Sequence, residues 1–101
     1  MNQKEKKILT DKAVALKYRP NKDRAPRVTA KGSGIVAQKI IELAKEYGIP
    51  IQEDPVLVEF LSKLDIYQEI PPSLYLIVAE ILAFIYSKNV QWQSLKDNIK
   101  R

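Results

Sequence analysis

The sequence contains no cysteine and no histidine. Without cysteine there is no disulfide framework, no thiol nucleophile and no thiolate-bound metal. Without histidine the commonest metal ligand and general base is missing too. Zinc chemistry and Ser-His or Cys-His catalysis are therefore excluded for this chain, and no cofactor or metal is expected. A reducing compartment agrees with the missing cysteine. Long apolar runs are also absent. The longest, Leu74 to Tyr86, has 13 residues and is broken by Glu80, short of the roughly 20 that a membrane-spanning helix needs. The opening Met1-Asn2-Gln3-Lys4-Glu5-Lys6-Lys7 is polar and no apolar stretch follows it, so no secretory signal is expected. These absences together predict a cytoplasmic protein, peripheral to a membrane at most.

What is there is a globular balance: 101 residues, 46% hydrophobic and 29% charged, enough for one domain. The net charge of +5 is unevenly spread. Residues 1–39 carry eleven basic and three acidic side chains, a net of +8. Residues 40–86 carry two basic and eight acidic, a net of −6, and the tail 87–101 a net of +3. A basic end beside an acidic middle predicts a face that attracts anions, or two parts that attract each other.

Ala13-Val14-Ala15-Leu16-Lys17-Tyr18 is apolar and rich in β-formers, so a strand buried on both faces is expected. Residues 20–26, with Pro20, Asn21, Asp23 and Pro26, read as a loop. Arg27-Val28-Thr29-Ala30-Lys31 alternates polar and apolar as a second strand. Gly32-Ser33-Gly34 opens a helix, capped by Ser33 or Gly34, whose apolar stripe is Val36, Ile40, Leu43, Ala44 and Tyr47. Gly48 suits a left-handed C′ position and Pro50 forbids continuation. Pro50-Ile51-Gln52-Glu53 reads as a short third strand near an edge. Asp54-Pro55 starts a helix burying Leu57, Phe60, Leu61 and Leu64, and Gln68-Glu69-Ile70-Pro71-Pro72 is a rigid connector. The last helix runs from Ser73 to about Lys88, apolar on nearly all sides. Trp92, Leu95 and Ile99 allow a further amphipathic helix. The expected fold is α/β: a small sheet of three strands, with room for a fourth, flanked by three to four helices in the order ββαβαα. Residues 1–12 form a flexible lead-in, 13–88 the domain and 89–101 a basic tail.

Each candidate site has a plainer structural reading beside it. Glu53-Asp54 is a carboxylate pair, but no nucleophile accompanies it, and a strand end followed by a helix cap accounts for it. Gly32-Ser33-Gly34 lacks the Lys-Ser/Thr ending of a phosphate loop and the third glycine of a dinucleotide fingerprint, which leaves a loop-to-helix turn. Lys17, Arg19, Lys22, Arg24, Arg27 and Lys31 could meet nucleic acid or an acidic membrane surface, yet Tyr18 is the one aromatic among them, too few for a stacking platform, which favours a solvated loop and leaves a protein-contact surface open. Glu80, alone inside an apolar helix, reads as solvent-facing in preference to a buried ion-pair partner. The residues alone thus describe an α/β interaction domain without an active site.

Ala13 to Tyr18, then Ala25-Pro26-Arg27-Val28-Thr29-Ala30-Lys31-Gly32, resemble the cytosolic domain of the FlhB/YscU type III export switch family. The likeness continues through Ile49-Pro50, Glu53 and Pro55, then Ile66, Gln68-Glu69-Ile70-Pro71 and Leu74-Tyr75, and ends with Val78-Ala79-Glu80-Ile81-Leu82-Ala83. In that family a membrane domain precedes the cytosolic one, which cleaves itself at an Asn-Pro-Thr-His motif by asparagine cyclisation. Here Ile8-Leu9-Thr10-Asp11 stand at those positions, and no membrane domain is expected with them. The resemblance therefore implies a non-enzymatic module, like the post-cleavage C-terminal fragment of the switch protein. It implies rod- and hook-type export substrates and export-gate components as partners, without nucleic acid. It also implies a docking patch at Ala25, Pro26, Ala79 and Leu82. The rival reading is a small basic nucleic-acid-binding protein.

Overall fold

In the computed structural model of the chain, residues 11–87 are described. Most of the expected lead-in, the tail 89–101 and the helix suggested by Trp92, Leu95 and Ile99 lie outside them. The chain forms two compact units, divided between Ile70 and Pro71.

The first unit is built on a hairpin. Strand β1 (Lys12–Lys17) pairs antiparallel with β2 (Arg27–Ser33), from Lys12 opposite Ser33 to Lys17 opposite Arg27. The register shifts between Ala15 and Leu16, leaving Thr29 as the extra residue of a bulge, and its Oγ1 donates to the Ala15 carbonyl at 3.3 Å. The far edge of β2 is occupied by residues 67–70. Tyr67 N–H donates to the Val28 carbonyl, Val28 N–H to that of Gln68, and Ile70 N–H to that of Pro26, at 2.6, 3.0 and 2.9 Å.

Helix α1 (Ile35–Glu46) follows β2 and packs on both strands. Gly32 explains how the helix comes so close: a Cβ there would clash with the Val36 side chain. Gly34, with φ 59°, makes the turn into the helix, and no side chain caps it. At the other end Gly48 has φ 67°, while its N–H donates to Lys45 O and that of Ile49 to Ala44 O. That paired pattern is a Schellman motif, as the glycine and the following proline predict.

Helix α2 (Pro55–Leu61) packs against β1. Asp54 caps it, its Oδ1 accepting from Leu57 N–H at 3.0 Å. Lys31 Nζ serves the other end, donating to the carbonyls of Leu64 and Ser62 at 2.7 and 3.2 Å. The core of this unit comprises Ala13, Ala25, Val28, Ala37, Leu57, Leu61 and Ile70. In the second unit a 3-10 turn (Pro72–Leu74) leads into α3 (Tyr75–Ser87), where Val78 is buried.

Three expectations are corrected. Among the described residues the sheet has two strands, and Pro50–Glu53 is not a third. A strand needs an edge to pair with; that of β2 is taken by residues 67–70, and no backbone hydrogen bond of Pro50–Glu53 is found. The order is thus ββααα. The stripe expected to bury α1 is rotated outward: Val36, Leu43 and Tyr47 are 54%, 46% and 74% exposed, while Ala37 is buried and Ile40, Ile41 and Ala44 are half-buried. In α2, Phe60 is exposed, with Lys63 Nζ 5.9 Å from its ring centre, and Leu64 lies beyond the helix and is half-buried.

Candidate interaction surfaces

The six basic residues between Lys17 and Lys31 divide into two groups. Three are committed inside the fold. Arg19 grips Asp23: its Nε and Nη2 donate to the two carboxylate oxygens at 3.1 and 2.8 Å, and its backbone N–H donates to Oδ2 at 2.8 Å. The Asp23 side chain is 4% exposed. These bonds from Arg19 hold the Asp23 carboxyl down at about 2, against the cost of burial, with Arg27 adding to the effect. Arg19 is raised in return. Arg27 reaches Glu69 at 3.5 Å, fastening the 67–70 segment to β2, while its Nε is buried without a partner. Lys31 completes the end of α2 as above. The other three, Lys17, Lys22 and Arg24, are exposed, and among the described residues they have no acidic partner. On the far side of β1, Lys12 pairs with Glu59, which lowers the glutamate's pKa.

The arrangement gives the β1–β2 loop an alternation: Lys22 and Arg24 point outward, Asp23 and Ala25 inward. Ala25 is 2% exposed and Pro26 is buried. The loop reading of residues 20–26 therefore does not make Ala25 and Pro26 surface residues. The prolines bounding the loop suggest surface, yet its last two residues lead straight into β2 and the core.

Ala79 is exposed on α3 and Leu82, one turn on, is half-buried. Leu76 is exposed as well, at 74%, and Ala83 lies exposed beside it. Leu76, Ala79 and Ala83, at spacings of three and four, share one face. Sequence reasoning named Ala79 and missed Leu76, because a helix apolar all round gives no periodic signal to say which side faces out. Glu80 is exposed, in accord with the solvent-facing reading.

The other candidates resolve into structural roles. Asp54 is the helix cap and Glu53 an exposed neighbour. Gly32 and Ser33 end β2 and Gly34 turns into α1. Among the described residues no group of three or more acidic side chains could hold a metal ion, and no helix is long and apolar enough to cross a membrane.

Comparison with known proteins places these features in a family. The profile of the FlhB HrpN YscU SpaS family matches residues 10–85. The Bacillus subtilis protein YlqH is 56% identical over 75 residues, covering 74% of this chain and 81% of that protein. The flagellar biosynthetic protein FlhB of Aquifex aeolicus is 48% identical over 77 residues, covering 75% of this chain but 22% of FlhB. Among solved structures, the cytoplasmic domain of FlhB from Shewanella putrefaciens superposes with a TM-score of 0.72 at 39% identity, covering 80% of this chain and 68% of that one. The chain thus spans about a fifth of the Aquifex FlhB and most of YlqH. On the matched span and the shared fold, this chain belongs to the FlhB HrpN YscU SpaS family.

Proposed function

We propose that the chain is a non-enzymatic protein-interaction module of the bacterial flagellar or a related type III export apparatus. It works in the cytoplasm, at the cytoplasmic face of that apparatus, and binds export substrates of the rod and hook type or components of the export gate. The observation that carries this reading is the match of residues 10–85 to the family together with the structural likeness to a cytoplasmic FlhB domain. The exposed face of α3 around Ala79, with Leu82 at its edge, offers apolar surface on which a short apolar segment of an unfolded substrate could lie. Ala25 and Pro26 contribute by shaping the loop before β2 from within.

Self-cleavage is not part of the proposed role. The cleavable asparagine and proline are replaced at Ile8-Leu9-Thr10-Asp11, and no histidine exists in the chain. Intact-mass measurement after prolonged incubation at neutral pH should return the full-length mass alone; a discrete fragment starting near these residues would contradict this. The nucleic-acid reading loses support from the internal use of Arg19, Arg27 and Lys31. Binding through an apolar face should vary little across a salt series, whereas nucleic-acid binding would weaken steeply.

A further inference from the structure

We infer that the outward face of α1 pairs two copies of this chain, α1 lying antiparallel on α1 across a two-fold axis. This goes beyond the export reading and does not rest on it. Val36, Ile40, Leu43 and Tyr47 follow one another at spacings of four, three and four. Such spacing is the a/d repeat of a helix-pairing seam, in which apolar residues recur every 3.5 positions on average. The fold does not use this seam for its own core. The hairpin holds α1 by a neighbouring side, through Ala37, Ile41 and Ala44, with Ile40 half-buried between the two. Val36, Leu43 and Tyr47 are left exposed. Single exposed apolar side chains are ordinary on a protein surface, whereas three large ones aligned along one helix form a patch that calls for a partner.

Charge complementarity selects the occupant and its direction. With Ile40 and Tyr47 at a positions and Val36 and Leu43 at d, the g positions are Lys39 and Glu46 and the e positions Ala37 and Ala44. Parallel helices set g against e, so each charge would meet an alanine. Antiparallel helices set g against g. Lys39 then meets Glu46 of the second copy, and the two-fold axis repeats the pair. In the same register Val36 faces Tyr47 and Ile40 faces Leu43. Lys39 and Glu46 are exposed, and neither has an ion-pair partner among the described residues. The helix carries two lysines and two glutamates, so its own charges cancel and two copies of it do not repel each other. One helix face is small beside the roughly 800 Å² per partner of a standard interface. The dimer is therefore weak, with a Kd on the order of 100 µM.

The test is sedimentation equilibrium of the full chain at low salt, from about 10 µM to about 1 mM, a range that brackets the expected midpoint. The parent should pass from monomer to dimer. Leu43→Lys changes an exposed position, so it should keep the parent's circular dichroism and weaken the dimer tenfold or more. Lys39→Glu and Glu46→Lys should each weaken it roughly threefold or more, since each sets like charges together twice. The double variant Lys39→Glu/Glu46→Lys restores both pairs and should return to within about twofold of the parent. The single swaps also separate pairing from bulk charge. Lys39→Glu lowers the positive charge of the chain and Glu46→Lys raises it, so general repulsion alone would make the first dimerise more tightly and the second less. That opposite response would overturn the inference, as would a double variant that stays weak. A folded Leu43→Lys that dimerises as the parent does would assign self-association to another surface. A parent monomeric throughout would leave the face to a different protein, and either result overturns the inference.

Discussion

At the scale of single residues, Asp23 and Ala25 sit two positions apart and are held by opposite chemistry. Asp23 is a buried carboxylate made tolerable by the fork of Arg19 and a backbone N–H. Its pKa falls from an ordinary 3.8 to about 2 in the folded protein. A carboxylate lowered on folding contributes stability that is fully present above its unfolded value and is lost as the pH falls through its folded value. Thermal stability should therefore decline between about pH 4 and about pH 2, and Asp23→Asn should flatten that part of the profile while lowering stability at neutral pH. Melting curves across the acid range decide it. Ala25 has no such fork. With 2% of its surface exposed, Ala25→Asp buries an unpaired charge and should cost on the order of 3 kcal/mol or more, read as a large fall in denaturation midpoint.

At the scale of elements, the sequence is most legible where local chemistry decides. Asp54-Pro55 announces the start of α2, and the structure supplies the bond from Leu57 N–H. Gly48 before Ile49-Pro50 announces the end of α1, and the Schellman bonds are there. Asp54→Ala should accordingly destabilise the protein by about 1 kcal/mol, with Asp54→Asn close to neutral, as chemical denaturation would show. Legibility fails where partners are distant in sequence. Pro50–Glu53 has the composition of a strand but pairs with no strand among the described residues. The segment that does join β2, residues 67–70, has the look of a connector because Pro71 and Pro72 follow it. The outward turn of Val36, Leu43 and Tyr47 has the same origin. Residues 36, 40, 43 and 44 fit one helical stripe and 37, 40, 41 and 44 fit another, and packing on the hairpin selects the second. Lys31 reads as one cation among six, and nothing local reveals that it binds the carbonyls just after α2, more than thirty positions away.

At the scale of the whole molecule, charged and apolar positions alike divide between the inside of the fold and its surface. Three of the six basic residues between Lys17 and Lys31 are spent on Asp23, Glu69 and the carbonyls after α2. The docking patch implied by resemblance splits likewise: Ala25 and Pro26 are inside, and Ala79 is outside with Leu82 at its margin. The candidate contact is thus only partly readable from residue type, because burial separates positions that composition treats alike. The most direct test of the proposed role is binding of a labelled rod- or hook-type export segment to the full chain, followed by fluorescence anisotropy, for the parent and for Ala79→Asp. Ala79 is exposed, so the variant should keep the parent's circular dichroism and melting temperature. The account predicts saturable binding by the parent that changes little with salt, and binding about tenfold weaker or worse by Ala79→Asp. A folded Ala79→Asp that binds as tightly as the parent, or a parent that binds no export segment, would contradict it.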